Sequence, residues 1–263
     1  MDKLLLGIIS DERAWLSKSP LMHRAALRAA GLKGYYVPLA LEEANLTLAV
    51  DGLWALGFKG ANVTAPYKQI IIPCLESLSR QAKEVGAVNT LVRGERGFVG
   101  HNSDVSGFCS AAGALINEGE SIALVGAGGV ARAVLAALKN RQIYLLGRNA
   151  ARTNNLAAVF GQQIIPHSPL PDAFTCGWLI NATSVSSPEE SREMAAWVQS
   201  LRPLQGVIDL NYGRKNNFWR DLAERCHVPF QDGLSMLAFQ AKDSFKLWTG
   251  LEIEIEVFQR ALL

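Results

Sequence analysis

The 263-residue chain is poor in the residues from which disulfide frameworks and metal sites are built. Its four cysteines lie far apart, with no Cys-x-x-Cys pair, at Cys74, Cys109, Cys176 and Cys226. Its four histidines are equally scattered, and no His-Glu-x-x-His motif occurs. This spacing gives no reason to expect a disulfide framework or a zinc site, and we predict no metal.

The sequence also lacks a large excess of charge and a long apolar run. A formal net charge of +2 gives no reason to expect binding to nucleic acid or to a membrane surface. No apolar run approaches the ~20 residues of a membrane span. The first ten residues have too short an apolar core, and no cleavage region, for a signal peptide. We therefore interpret them as a first strand and expect a cytoplasmic protein.

What the chain does have is an ordinary globular composition, with 49% hydrophobic and 19% charged residues. Its first third alternates patterns typical of strands and helices, a hairpin follows at 90–100, and the alternation resumes at 122. Such alternation predicts parallel sheets with crossover helices. The sequence therefore predicts two α/β halves joined by a hinge near 118–120, with a ligand cleft between them.

A glycine-rich turn is the most informative stretch of the second half. Residues 121–125 have the pattern of a buried strand, and a helical pattern begins just after Gly126, Gly128 and Gly129. Gly126 permits a tight turn, Gly128 lets the backbone approach a pyrophosphate, and Ala131 lets the helix pack on the strand. The N–H groups of the first helical turn then face the diphosphate. We predict dinucleotide binding here, the alternative being a glycine-rich turn that binds nothing.

The next predicted strand indicates which dinucleotide is bound. An NAD ribose is usually held by an acidic residue about 20 residues past the glycines. Residues 145–152 contain no acid but carry Arg148 and Arg152. Guanidinium groups suit a 2′-phosphate by charge and by bidentate hydrogen bonding. The sequence therefore favours NADP over NAD, unless the two arginines are only solvated charges at a helix start.

Polar residues crowd the ends of the predicted strands in the first half. These segments are Ser17-Lys18-Ser19-Pro20, Asn62-Val63-Thr64-Ala65-Pro66-Tyr67-Lys68, Gly86-Ala87-Val88-Asn89-Thr90 and Asn102-Ser103-Asp104. The two serines and the free N–H groups of a helix start could hold a carboxylate. Taken singly, each segment is equally compatible with helix capping or a solvated charge.

Taken together, these segments resemble the shikimate dehydrogenase family over nearly the whole chain. The four polar segments look like the substrate-site motifs of that family, in its order and spacing, and Gly-Ala-Gly-Gly-Val-Ala-Arg-Ala is similar to its cofactor loop. Asn181-Ala182-Thr183-Ser184 and Gly233-Leu234-Ser235-Met236-Leu237, followed by Gln240, match its later motifs. The resemblance implies an N-terminal substrate domain at 1–104 and a doubly wound Rossmann domain at 105–233. It also implies C-terminal helices at 234–263 that return to the first domain.

The resemblance further implies NADP-dependent interconversion of 3-dehydroshikimate and shikimate, with Lys68 and Asp104 as the catalytic pair. A donor such as a lysine ammonium is needed because hydride arriving at a ketone carbon leaves charge on the oxygen. The implied substrate-binding residues are Ser17, Ser19, Asn62, Thr64, Asn89, Tyr212 and Gln240. The implied cofactor-binding residues are Gly126, Ala127, Gly128, Gly129, Val130, Arg148, Asn149, Arg152, Thr183, Ser184, Gly233 and Met236.

Several positions depart from the family pattern and keep alternatives open. Gly147-Arg148-Asn149 stands where Asn-Arg-Thr is common, and Val105, Ser186 and Ser235 replace usual glycines. The alternatives are a dehydrogenase for quinate or an amino analogue, use of NAD, a non-catalytic nucleotide-binding sensor, and a folate dehydrogenase of similar build. The sequence is compatible with a monomer or a homodimer.

Overall fold

The computed structural model describes residues 3–161, 164–167 and 171–263, which form two compact units. The first unit is Met1–Ala111 with Ser235–Leu263, and the second is Ala112–Leu234. The strands of the first unit are β1 (Leu4–Ser10), β2 (Gly34–Ala40), β3 (Gly60–Val63), β4 (Ser77–Leu78), β5 (Thr90–Arg93) and β6 (Phe98–His101). The strands of the second unit are β7 (Ile122–Val125), β8 (Ile143–Leu146), β9 (Ile164–His167), β10 (Phe174–Asn181), β11 (Leu201–Asp209) and β12 (Phe230–Asp232).

Ten α-helices accompany these strands in the part of the chain that the structure describes. The first four are α1 (Ser19–Ala29), α2 (Leu46–Ala55), α3 (Arg80–Val85) and α4 (Asp104–Ala112). The next four are α5 (Gly129–Ala137), α6 (Ala150–Phe160), α7 (Arg192–Val198) and α8 (Phe218–Cys226). The last two are α9 (Leu234–Thr249) and α10 (Ile255–Arg260). None of these helices is both long and apolar enough to cross a membrane.

The first sheet is mixed, in the order β2-β1-β3-β5-β6-β4. β1 lies parallel to β2 and β3, whereas β5 runs antiparallel to both β3 and β6. Both faces of this sheet bury apolar side chains, with Ile9, Val63 and Leu91 in one cluster and Leu6 and Ile8 packed with Trp248 in another. The antiparallel hairpin places the end of β3 beside the starts of β5 and α4, where the polar segments lie.

The second sheet is wholly parallel, in the order β12-β11-β10-β7-β8-β9. β7 is buried along its whole length, which explains its continuous apolar run. The strand order reverses between β7 and β10, so the chain leaves their carboxyl ends in opposite directions. Ligands of doubly wound sheets bind at such a reversal.

The predicted fold class is confirmed, while several element boundaries differ. The hairpin is formed by β5 and β6. The helix predicted to reach Asn117 is α-helical only as far as Ala112, and a 3-10 helix follows at Gly113–Leu115. A 3-10 helix at Glu12–Leu16 and the short elements β4 and α3 were not predicted, because they are too short to show a period. Residues 162 and 163 of the strand predicted at 162–165 lie outside the described residues.

Candidate active site and dinucleotide site

The sheet order of the first unit brings together three predicted site residues that are far apart in sequence. Lys68 follows the turn after β3, Asn89 immediately precedes β5, and Asp104 begins α4. The backbone carbonyl of Lys68 accepts a hydrogen bond from the N–H of Val88 at 2.7 Å, which ties its loop to the segment before β5. The backbone N–H of Asn89 donates to the carbonyl of His101 at 3.0 Å. Main-chain contacts therefore position Lys68 and Asn89.

Lys68 and Asp104 form a buried ion pair. Lys68 Nζ lies 2.6 Å from Asp104 Oδ2, and the two side chains are only 9% and 6% exposed. The other carboxylate oxygen, Oδ1, accepts a hydrogen bond from Asn89 Nδ2 at 2.9 Å. Both oxygens of the buried carboxylate thus have donors, as a charge removed from water requires. The arrangement provides a positioned proton donor, as an ammonium, beside a fixed anion.

The Asn-Ser-Asp segment places Asp104 by capping the helix that it begins. Asn102 Oδ1 accepts hydrogen bonds from the backbone N–H groups of Asp104 and Val105, at 3.0 and 3.3 Å, and Asn102 Nδ2 donates to the carbonyl of Ala87 at 2.9 Å. Capping of this kind satisfies N–H groups that have no partner within the helix. It therefore fixes both the start of α4 and the direction of the carboxylate.

Helix α9 brings Gln240 to the same cluster. Asn89 Nδ2 lies 3.4 Å from Gln240 Oε1. The approach depends on Gly107 in α4, since a Cβ added there would lie 2.9 Å from Gln240 Cβ and 3.2 Å from the carbonyl oxygen of Met236. Glycine at 107 thus allows α4 and α9 to pack closely enough for Gln240 to reach Asn89.

A buried layer of polar groups lies behind this cluster. Asn62 Oδ1 accepts from the Tyr36 hydroxyl at 2.8 Å, and Asn62 Nδ2 donates to Ser244 Oγ at 3.0 Å. The hydroxyls of Thr90 and Ser244 lie 2.8 Å apart, and the Ser103 N–H donates to Asn89 Oδ1 at 2.7 Å. Because both ends of the Asn62 amide are occupied by protein groups, its side chain supports the site from inside the core.

The remaining predicted substrate residues of the first unit lie at the starts and ends of its elements. Ser17 precedes α1 and accepts a hydrogen bond from the Ser19 N–H at 3.1 Å. Ser19 is the first residue of α1 and is only 2% exposed, with proline following it in the first turn. Thr64 follows β3, and its N–H donates to the carbonyl of Ile9 at 3.1 Å. The two serines therefore occupy a helix N-terminus, where backbone dipoles favour an anion.

In the second unit the glycine-rich segment forms the turn from β7 into α5. Gly126 has a φ of +114°, and a Cβ there would lie 3.0 Å from the backbone of Ala182. A Cβ on Gly128 would meet nothing within 4 Å, so the backbone here is open to a ligand. Ala131 is fully buried where α5 packs on the sheet. The turn therefore has the shape that a diphosphate requires.

The loop after β10 lies beside the glycine turn after β7, because these two strands are neighbours where the strand order reverses. Asn181 Oδ1 accepts from the N–H and the hydroxyl of Thr183, at 3.0 and 2.7 Å. The N–H of Ala182 donates to the carbonyl of Val125, the last residue of β7, at 2.8 Å. The predicted cofactor residues Thr183 and Ser184 thus follow a strand whose end is bonded to the glycine turn.

The end of β8 presents Arg148 to solvent, with its side chain 53% exposed. Asn149 is the N-cap of α6, where its Oδ1 accepts from the N–H of Arg152 at 2.9 Å. The carboxylate of Glu193 lies 3.8 Å from the Arg148 guanidinium. An exposed cation at this strand end, with the open Gly128 backbone, fits a dinucleotide that carries a 2′-phosphate.

Gly233, Tyr212 and Met236 are three further predicted residues. Gly233 precedes α9, and a Cβ there would lie 2.3 Å from the carbonyl oxygen of Leu210, so this glycine permits a close backbone approach. Tyr212 belongs to the second unit, unlike the other predicted substrate residues, and Met236 belongs to the first, unlike the other cofactor residues. Among the described residues, no cluster of histidine, cysteine and acidic side chains could hold a metal ion.

Comparison with known proteins decides the family. Residues 12–91 match the family model of the shikimate dehydrogenase substrate binding domain, and residues 233–263 match that of the shikimate 5′-dehydrogenase C-terminal domain. The NADP⁺-dependent shikimate dehydrogenase of Pyrococcus abyssi is 36% identical over 253 residues, covering 94% of this chain and 93% of that protein. The chain belongs to the shikimate dehydrogenase family.

Solved structures of the shikimate dehydrogenase family share the whole fold. The Thermus thermophilus shikimate 5-dehydrogenase in complex with NADP(H) and shikimate is 30% identical, with a TM-score of 0.83 over 98% of each chain. The Corynebacterium glutamicum quinate dehydrogenase in complex with NAD is 28% identical, with a TM-score of 0.82 over 100% of this chain and 99% of that one. The predicted family is therefore confirmed, and its relatives include proteins named for either substrate.

Several residues of these clusters were not predicted from the sequence. They are Gly107 and Ser244 in the first unit and, in the second, Asp209, which accepts from Asn181 Nδ2 at 2.8 Å, and its partner Asn217. Ser244 lies four residues after Gln240, on the same face of a helix, and this spacing is visible in the sequence. Gly107 is similarly placed one turn after Asp104. Nothing local marks Asp209 and Asn217, because their importance depends on residues that other strands bring to them.

Proposed function

We propose that this protein catalyses the NADP-dependent interconversion of shikimate and 3-dehydroshikimate. The observation that carries the proposal is the buried Lys68–Asp104 ion pair, with Asn89 on the free carboxylate oxygen and Gln240 beside it. Proton transfer to a reacting oxygen needs such a positioned side chain. The named activity of the relatives agrees with this chemistry.

Lys68 would act as the acid and base of the reaction. In shikimate oxidation a neutral Lys68 amine accepts the hydroxyl proton as the carbon-bound hydrogen leaves as hydride. In the reverse direction the ammonium returns the proton to the oxygen, on which negative charge develops. When bound, the nicotinamide dinucleotide accepts or supplies the hydride. After shikimate oxidation the Lys68 ammonium must release the accepted proton to water, which it would do through the 9% of its side chain that stays exposed.

Asp104 and Asn89 would hold the Lys68 amine in position next to the substrate. The carboxylate fixes the Lys68 amine at 2.6 Å, and Asn89 fixes the carboxylate through its other oxygen. The helix N-terminus at Ser17 and Ser19 would bind the substrate carboxylate, with Tyr212 contributing a hydroxyl. Thr64, Asn89 and Gln240 would bind ring hydroxyls. We place Asn62 behind them, because its amide is already bonded to Tyr36 and Ser244.

The second unit would hold the dinucleotide. The diphosphate would lie against the N–H groups that follow Gly128, since the backbone there is open. Arg148 would bind the 2′-phosphate of NADP, with Asn149 and Arg152 at the same helix start. Thr183 and Ser184 would line the opposite loop. Met236 would contact the nicotinamide ring from helix α9.

A quinate-specific, NAD-using enzyme is the second candidate. The similarity to the quinate dehydrogenase that was solved with NAD supports it, as does Asn149 in place of the usual threonine. The same lysine and aspartate would serve either substrate. We favour shikimate and NADP because the end of β8 carries Arg148 and no acid at residues 145–152.

Steady-state oxidation of shikimate and of quinate, each with NADP and with NAD, tests the proposal. We expect the highest kcat/KM for shikimate with NADP. Arg148→Gln should raise the Kd of NADPH about tenfold to a hundredfold, because it removes charge-assisted hydrogen bonds, and should leave that of NADH nearly unchanged. Preference for quinate or NAD would support the second candidate. NADPH binding without turnover of any pair would support a sensor.

Location and assembly belong to the same proposal. We propose a cytoplasmic enzyme that acts on a small molecule as a monomer or a homodimer and binds neither nucleic acid nor membranes. The small net charge supports the absence of a nucleic-acid partner. Light scattering coupled to size-exclusion chromatography would distinguish the two assemblies.

A further inference from the structure

Asp209 is a fully buried carboxylate at the end of β11, and the described groups that hydrogen-bond to it, which include the Ser186 hydroxyl, are neutral. Its Oδ1 accepts from Asn181 Nδ2 at 2.8 Å, and from the backbone N–H and Nδ2 of Asn211, both at 3.1 Å. Its Oδ2 accepts from Asn217 Nδ2 at 2.7 Å. A single side chain thus joins the ends of β10 and β11 to the start of α8.

The polarity of this cluster suits only a carboxylate. Four N–H donors converge on two oxygens, so any donor placed at position 209 would face another donor. A buried carboxylate is normally costly, and burial raises the pKa of Asp209, while hydrogen bonds from Ser186 and the three asparagines oppose that rise. Among the described residues, neutral donors thus hold this carboxylate, with no cation bonded to it.

The partners of Asp209 hold the loop that bears Thr183. Asn181 accepts both the N–H and the hydroxyl of Thr183 through its Oδ1, and Asn211 Nδ2 donates to the Thr183 carbonyl at 2.8 Å. Thr183 is therefore hydrogen-bonded to both Asn181 and Asn211, and each of these two residues is bonded to the Asp209 carboxylate. Next to it, Ala182 lies against Gly126 of the glycine turn.

Asn217 extends the same cluster to α8. Its Oδ1 caps the helix by accepting from the N–H groups of Trp219 and Arg220, at 2.9 and 3.1 Å. The fully buried Trp219 then donates from Nε1 to the carbonyl of Val185, in the Thr183 loop, at 3.0 Å. The loop is thus fixed by both Asp209 and the helix that Asp209 holds.

We propose that Asp209 is a positioning residue for the dinucleotide, and that its bond to Asn217 sets the affinity by holding the Thr183 loop against the glycine turn. This inference rests on the proposed function, because it takes the glycine turn to be the dinucleotide site. Asp209 itself is fully buried, so we assign it no direct contact with the dinucleotide. It acts through Asn181, Asn211 and Asn217.

Exchanging the two partners tests the proposal. Asn217→Asp places two carboxylates against each other, and Asp209→Asn places two amide donors against each other. We expect each single variant to weaken NADPH binding about tenfold or more, measured by fluorescence titration of the purified full chain. The double variant Asp209→Asn/Asn217→Asp restores a donor facing an acceptor and keeps a capping oxygen at 217. Its NADPH affinity should return to within about threefold of the parent.

Asn216→Asp is the matched control, since it is the same substitution at an exposed neighbour whose amide donates to Glu189 and not to Asp209. It should leave the NADPH affinity unchanged. If the single variants do not fold, Asn217→Ser tests the role of the Asp209–Asn217 bond. Serine still caps α8 but is too short to reach Asp209 as the asparagine does. Its affinity should fall severalfold.

Two results would overturn the proposal. One is a single variant or Asn217→Ser that melts at a lower temperature yet binds NADPH as the parent does, which would show a purely structural role. The other is a folded double variant whose affinity is not restored. A parent protein that binds no dinucleotide would instead reject the proposed function.

Discussion

Each unit of this protein buries one aspartate in a polar cluster, and the two clusters differ in their donors. Asp104 accepts from the Lys68 ammonium and from one amide, whereas Asp209 accepts from neutral groups, which are asparagine amides, a backbone N–H and the Ser186 hydroxyl. A lysine can lose and regain a proton, but an amide cannot do so in the physiological range. The first cluster is therefore suited to proton transfer, and the second is suited to holding loops in place.

The comparison also explains why the two clusters occupy different parts of their sheets. Asp104 lies at the start of a helix, where its backbone is capped by Asn102 and its side chain is directed to Lys68. Asp209 lies at the carboxyl end of β11, whose neighbour β10 forms one side of the reversal of strand order. Asp104 therefore presents its charge to Lys68, and Asp209 supports the loops at the carboxyl edge of the second sheet.

Replacing Lys68, the cation of the first cluster, should have the largest effect on activity. We expect Lys68→Met to lower kcat by about 10²- to 10⁴-fold, because the reacting oxygen loses its proton donor and acceptor. The NADPH affinity should stay close to that of the parent, since the glycine turn belongs to the other unit. Stopped-flow turnover and an NADPH titration measure the two quantities.

The exposed Lys83 provides the control for this variant, and Lys83→Met should turn over normally. Because Lys68→Met leaves a buried carboxylate without its cation, its folding must be checked by circular dichroism at the assay temperature. A folded Lys68→Met protein with kcat within tenfold of the parent would refute the assigned role.

A buried titratable group outside both clusters should produce the next largest effect. His23 is fully buried beside the rings of Tyr36 and Trp248, at centroid distances of 4.4 and 5.0 Å. Burial lowers its pKa from 6.5 to about 3, since neither ring nitrogen has a hydrogen-bond partner among the described residues. The folded protein therefore keeps His23 neutral at a pH where the unfolded chain binds a proton.

The free energy of unfolding should consequently fall as the pH drops below about 6.5 towards 3. Between pH 6.5 and 4.5 we expect a loss of about 2–3 kcal/mol from this group. Urea denaturation of His23→Phe across this range should show a smaller pH dependence than the parent. His227→Asn, at an exposed histidine, should retain the parent's dependence. Equal slopes for His23→Phe and the parent would mean that the buried acids dominate acid unfolding.

The packing behind the first cluster should have the smallest effect. We expect Gly107→Ala to raise the KM for shikimate about five- to tenfold, because the added Cβ would lie 2.9 Å from Gln240 Cβ and displace that side chain. Steady-state kinetics at saturating NADP measures this change, and kcat should change less than KM.

Gly52→Ala is the matched control, because Gly52 also lies in a helix but has open space where a Cβ would be. It should leave KM unchanged and stabilise the protein by about 0.5–1 kcal/mol. An unchanged KM in Gly107→Ala would show that α4 and α9 can separate without moving Gln240.

Much of this protein is determined by local sequence. Strand β7, the glycine turn and helix α5 are predictable because buried strands, tight turns and helices have their own periods and residue preferences. The order of polar motifs was enough to indicate the family, which the comparisons confirm. The arginine at the end of β8 was likewise predictable, since its place follows from its distance to the glycines.

Only the tertiary structure decided which polar groups meet. Lys68 and Asp104 are 36 residues apart, and their ion pair depends on the antiparallel placement of β5 between β3 and β6. The inward orientation of the Asn62 amide and the three asparagines around Asp209 depend in the same way on neighbouring strands. A hydrogen bond needs its two atoms within about 3 Å, and for residues distant in the chain only the register of the sheets and the packing of helices on them determine that distance.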